Sequence, residues 1–222
     1  MGQKISPISN RLSLSKDWQS RWFDKGTKYA RKLIEDILIR DFIVNNFGLQ
    51  FAISRVLIKR GRADMTIDIF TARPGLIIGR QGKGVEDIKI KIEKFVAKRH
   101  LDDSQKIRIN VVEIKKPDIR ATLIAQSIGQ QISKRIPYRR AVKSAITKAT
   151  DAGAKGIKIE IGGRLNGAEI ARSESFSTGS IPTSTLKKNI DYSLYHAPTT
   201  YGIIGIKVWV YDGKLIEDLI ES

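Results

Sequence analysis

Cysteine is absent from the 222 residues and histidine occurs only twice. No disulfide can form, no thiolate can serve as a nucleophile, and the usual cysteine-based zinc sites are excluded. The two histidines, His100 and His196, sit in unrelated contexts and offer no metal pair. Acidic residues are few beside basic ones. The 23 Asp and Glu stand against 40 Lys and Arg, a formal net charge of +17 with a pI near 10.1. Long apolar runs are missing too. None approaches the ~20 residues of a membrane span, and no signal-peptide core follows the start. The expectation is a cytoplasmic protein with no membrane association. Met1-Gly2-Gln3-Lys4-Ile5-Ser6 fits the N-myristoylation pattern, but that pattern is common by chance and a single acyl chain anchors weakly.

Hydrophobic residues make up 41% of the chain, enough for packed cores. The positive excess repels itself unless a polyanion neutralises it. Nucleic acid is the expected partner, because neutralising phosphates releases counterions and drives binding.

Periodicity divides the chain into an arm and two domains. Residues 1–27 hold no steady period and mix charge with aromatics, as an extended arm that a partner would order. Residues 28–117 begin with a helix whose apolar positions are Ala30, Leu33, Ile34, Ile37, Leu38 and Phe42. Gly48 stands at its end. Two strands follow, marked by Ile53, Val56 and Ile58 and by Met65, Ile67 and Ile69, with Arg60-Gly61-Arg62 between them. A short helix from Pro74 precedes a glycine-rich break. A longer helix with Val85, Ile88, Ile92, Phe95 and Val96 comes next, then a strand with Ile107, Ile109 and Val111.

Residues 118–222 open with two helices. Ile119, Leu123, Ile124, Ile128 and Ile132 mark the first, and Val142, Ala145, Ile146 and Ala149 the second. The period then changes to two at Ile157, Ile159 and Ile161, and again at Ile204, Ile206, Val208 and Val210, with further strands expected over 168–176 and 192–201. The expected class is α+β: an N-terminal α-β-β-α-α-β unit, then two helices packed on a mostly antiparallel sheet.

Three motifs carry the functional signal. In Ile77-Ile78-Gly79-Arg80-Gln81-Gly82 a GxxG loop joins two helices, the hallmark of the KH RNA-binding module, and a helix before the first two strands makes it the type II order. Glycine lets the chain turn against a sugar–phosphate backbone, and the following helix N-terminus favours phosphate. Gly79, Arg80, Gln81, Gly82 and Lys83 are the candidate contacts. Ile77, Ile78 and Val85 are expected to form the apolar side of a groove. The second motif is Tyr138-Arg139-Arg140-Ala141-Val142-Lys143. Its Arg139, Arg140 and Lys143 share one helical sector, apart from the apolar one and with no carboxylate nearby in sequence. The third is Gly162-Gly163-Arg164-Leu165-Asn166-Gly167-Ala168-Glu169-Ile170-Ala171-Arg172, expected as a hairpin or bulge with basic decoration and a local Glu169–Arg172 pair.

Enzymatic motifs are missing. A Walker A loop would need glycine at Ile77 and Ser or Thr at Gly84. No G-x-G-x-x-G or G-x-S-x-G occurs, and Asp102-Asp103 lies in a polar loop. The expectation is a non-enzyme without metal or cofactor.

The three motifs, in this order, resemble the bacterial type of small-subunit ribosomal protein three. So do Met1-Gly2-Gln3-Lys4, Thr71-Ala72-Arg73-Pro74-Gly75 and Thr199-Thr200-Tyr201-Gly202-Ile203-Ile204-Gly205-Ile206-Lys207-Val208-Trp209. The resemblance runs nearly end to end. It implies a structural constituent of the small subunit that binds ribosomal RNA in the head and helps line the channel where messenger RNA enters. It places messenger RNA holding and passive unwinding on Arg139, Arg140 and Lys143. Neighbouring head proteins and the fourth and fifth small-subunit proteins are the implied partners. Lys4, Arg11, Arg21, Arg164 and Arg172 are further candidate ribosomal RNA contacts. A free KH-type regulator of messenger RNA is the alternative; it would leave the second domain and the arm unexplained. Two departures stand out. Asn166 replaces a common family glycine, at a position where asparagine tolerates a left-handed backbone. Many relatives carry a long basic C-terminal tail, where this sequence has Glu217-Asp218-Leu219-Ile220-Glu221-Ser222.

Overall fold

A computed structural model describes residues 5–62, 64–79, 82–98 and 106–215. The chain forms two compact units. One is Trp18–Lys115; the other joins Met1–Asp17 to Lys116–Ser222.

The first unit follows the expected order, with one strand added. Helix α1 spans Thr27–Phe47, strands β2 and β3 span Ile53–Arg60 and Asp64–Thr71, helices α2 and α3 span Pro74–Ile78 and Lys83–Lys98, and β4 spans Lys106–Glu113. The added β1, Ser20–Arg21, lies parallel to β2 and gives a sheet of order β1-β2-β3-β4. β2 and β3 are antiparallel, β3 and β4 parallel. Ile58, Ile67 and Ile69 from the sheet meet Ile39, Ile43, Ile88 and Ile92 from the helices. Each such side chain contributes about 1.5–3 kcal/mol by leaving water.

Helix α1 buries a different face from the one its apolar residues mark. Leu33, Ile34 and Ile37 are exposed, whereas Glu35, Asp36, Ile39, Ile43 and Phe47 are buried. The two carboxylates go inside because Arg60 meets them there. Its Nη1 lies 2.7 Å from Glu35 Oε2, and its Nη2 2.6 Å from Asp36 Oδ1. Trp22 Nε1 donates to Asp36 Oδ2 at 2.7 Å. Arg60 is therefore a buried member of β2 rather than a turn residue.

In the second unit, α4 (Ala121–Ser133) and α5 (Tyr138–Asp151) cover one face of a wholly antiparallel sheet. Its strands are β5 (Gly156–Gly163), β6 (Arg172–Gly179), β7 (Lys188–Thr199) and β8 (Gly202–Leu215), in the order β6-β5-β8-β7. The Ile157/159/161 and Ile204/206, Val208/210 series point inward to the helices. Asp191 of β7 accepts the Ala121 N–H at 2.9 Å and so caps α4 from a distant strand. Gly129 lets α4 lie against Tyr195; a Cβ there would come 2.2 Å from the ring.

The arm expectation is corrected along most of its length. Residues 18–27 belong to the first unit through β1 and the start of α1. Residues 5–17 pack on the second unit, where Arg11 is fully buried. Its guanidinium donates to the carbonyls of Pro7, Thr183, Thr185 and Lys188 at 2.9–3.2 Å. Arg11 is thus an internal clamp and not an RNA contact. Lys4 lies outside the described residues.

Candidate nucleic-acid interface

The GxxG loop is built by two helices that nearly touch. Helix α2 ends at Ile78, and Gly79 leaves it with φ +66° and ψ −171°. Gly82 re-enters at φ +80°, just before α3. Both values lie where side chains are disfavoured, so glycine is required on conformational grounds. Gly84 is needed for space: a Cβ there would sit 2.3 Å from the Ile77 carbonyl oxygen. The third glycine that breaks the Walker pattern therefore brings α3 against α2. Lys83 is exposed at the start of α3. Arg80 and Gln81 lie outside the described residues.

The apolar groove is corrected in one member. Ile77 is fully buried and belongs to the core, while Ile78 and Leu76 are exposed beside the loop and Val85 is partly buried. Successive helical residues are turned by about 100°, so Ile77 faces the core while Leu76 and Ile78 flank it toward solvent.

Helix α5 carries the second candidate. Arg139, Arg140 and Lys143 are all exposed, but they are not equivalent. Glu174 of β6 lies 3.4 Å from Arg139 Nη2 and 3.3 Å from Arg172 Nε. The buried Tyr138 hydroxyl donates to Glu174 at 2.9 Å and accepts from Arg139 Nε at 3.2 Å. The expectation of a face without carboxylates therefore fails at Arg139. The carboxylate is remote in sequence and reaches α5 only through the sheet. It also takes Arg172, so the expected Glu169–Arg172 pair is replaced by Arg172–Glu174. The Tyr138 hydrogen bond, then Arg139 and Arg172, hold Glu174 below the usual carboxylate range, and both arginines are raised above their ordinary value. Tyr138 stood in the second motif without a role of its own, and Glu174 did not stand out in the sequence. The alternation of Arg172, Glu174 and Phe176 on one strand face was the available signal.

The third candidate region turns through a 3-10 segment, Leu165–Gly167, after β5. Asn166 takes φ +54° and ψ +26°, the left-handed conformation expected of it. Arg164 is exposed; its Nε donates to the Ala168 carbonyl at 2.9 Å and its guanidinium lies 5.6 Å from the Tyr201 ring centre. Arg21 is exposed on β1. Among the described residues no group of three His, Asp or Glu is placed to hold a metal ion, and no helix is long and apolar enough to cross a membrane.

These surfaces present cations beside glycine turns and exposed apolar groups, an arrangement that can hold a phosphate backbone. Comparison with known proteins gives the family. Residues 38–119 match the family described as KH domain, and residues 128–210 that described as ribosomal protein S3, C-terminal domain. A small ribosomal subunit protein uS3 from Clostridium botulinum (strain Okra / Type B1) is 44% identical over 97% of this chain and 94% of its own length. The uS3 protein of Legionella pneumophila (strain Corby) is 44% identical over 97% and 95%. That of Vesicomyosocius okutanii is 42% identical over 98% and 91%.

This chain belongs to the uS3 family. The α5 cations and the GxxG loop are thus features of a uS3 chain, each within its own matched region. Membership in uS3 points to a structural rather than an enzymatic role.

Proposed function

We propose that this chain is a structural constituent of the small ribosomal subunit, located in the cytoplasm. In this role it binds ribosomal RNA in the head and helps form the channel through which messenger RNA enters. The near full-length likeness to proteins named small ribosomal subunit protein uS3 carries the proposal. The charge of +17 supports a polyanionic partner.

Within that role, residues 28–117 act as the type II KH unit and 118–222 as the family's C-terminal domain. The Gly79–Gly82 loop with Lys83 holds a phosphate backbone. Arg139, Arg140 and Lys143 hold messenger RNA and separate its strands passively, driven by the ribosome; the sequence has no nucleotide-binding motif to power the step. Arg21, Arg164 and Arg172 add ribosomal RNA contacts. The exposed Leu33, Ile34 and Ile37 of α1 support contact with neighbouring head proteins, and the fourth and fifth small-subunit proteins adjoin at the channel.

Sedimentation of a cell lysate through a high-salt sucrose gradient tests the proposal, because screening removes loosely held basic proteins steeply. The expected result is one copy co-sedimenting with each small subunit. Free protein at the top of the gradient would replace the proposal with a dissociable KH-type regulator.

A further inference from the structure

Helix α4 ends in an arginine where glycine would fit better. The Ile136 N–H donates to the Gln131 carbonyl at 3.0 Å and the Arg135 N–H to that of Ile132 at 2.9 Å, the paired bonds of a Schellman ending. Arg135 occupies the left-handed position at φ +62°, which favours glycine. Its guanidinium is exposed and has no hydrogen-bond or ion-pair partner among the described residues. An exposed charged side chain held at a strained backbone position is a pointer to function.

Arg135 borders a cleft of about 370 Å³ in the second unit, within the range of small-ligand sites. Asn166, a second non-glycine residue at positive φ, lines it too, and its exposed side-chain amide has no hydrogen-bond partner among the described residues. Ile132 and Ile204 supply apolar wall, and no carboxylate borders the cleft among the described residues. Tyr201 stands in the turn between β7 and β8, 58% exposed. Its orientation is preset by Arg164 over the ring and by Gly167, where a Cβ would come 3.0 Å from the ring edge. An exposed aromatic held in place, two arginines and an open amide are the groups that recognise base, phosphate and base edge.

We propose that this cleft receives one unstacked ribonucleotide, its base against Tyr201 and its phosphate met by Arg135 and Arg164. The proposal rests on the RNA-binding function above and assigns it a site outside the GxxG loop and the α5 face. Ribosomal RNA and messenger RNA present the same chemistry here.

The test uses the full chain and a short single-stranded RNA carrying a fluorescent adenine analogue. Tyr201→Leu should weaken binding about tenfold, the effect of losing one base stack. Arg135→Gly should weaken binding as well, yet leave the melting temperature unchanged or raised, because glycine relieves the left-handed backbone. Unchanged affinity in both variants overturns the cleft while leaving RNA binding elsewhere intact. Failure of the unaltered chain to bind RNA overturns the underlying function as well. In small subunits carrying Arg135→Gly, chemical probing separates the sources. A newly reactive ribosomal RNA base without message assigns the nucleotide to ribosomal RNA. A change seen only on bound message assigns it to messenger RNA. No change in either overturns the site.

Discussion

Glu174 decides how much of the arginine charge near α5 is available. It pairs with Arg139 and Arg172 and accepts the Tyr138 hydroxyl, so it neutralises part of the cluster. Its folded pKa is depressed, so its contribution is present above the ordinary carboxylate pKa and is lost as pH falls through the lower folded value. Surface pairs of this kind are screened by water and add little stability. Glu174→Gln should therefore keep the fold and free both arginines. The expected outcome is tighter RNA binding. The slope of log affinity against log salt should steepen by about 0.7 for each extra phosphate neutralised on a single strand. An unchanged slope with an intact fold would mean that phosphate already displaces the carboxylate.

Helix α1 meets its sheet through buried charges as well as apolar packing. The Arg60, Glu35 and Asp36 side chains are at most 4% exposed. Removing one member leaves the others buried without compensation. Arg60→Ala should cost about 3–5 kcal/mol in urea unfolding, whereas replacing all three by apolar residues of similar volume should recover most of that loss. A loss below about 1 kcal/mol, typical of surface pairs, would mean that water reaches the carboxylates.

At the scale of the whole molecule, the proposed function assigns most of the +17 charge to assembly and a few of its members to messenger RNA. Arg139, Arg140 and Lys143 changed together to Ala remove three of 40 basic residues. Co-sedimentation with the small subunit should persist, while translation through structured messages slows relative to unstructured ones. Subunits lacking the protein would reassign the three residues to assembly.

The α+β class, the type II KH order, the antiparallel sheet and the glycine loop were all legible in the sequence. Each rests on local period or spacing, and the period-two runs of isoleucine and valine admit one inward face. The buried face of α1 was not legible, because its apolar residues mark the exposed side and two carboxylates mark the core. Arg60 and Asp36 are 24 residues apart, and Arg139 and Glu174 are 35. The local pattern does not pair such distant charges. Arg11 was indistinguishable from a surface cation until carbonyls more than 170 residues away closed around it. Composition established how much positive charge the chain carries. Only tertiary structure decided which of those charges remain open to a partner, because partners remote in sequence compete for each one.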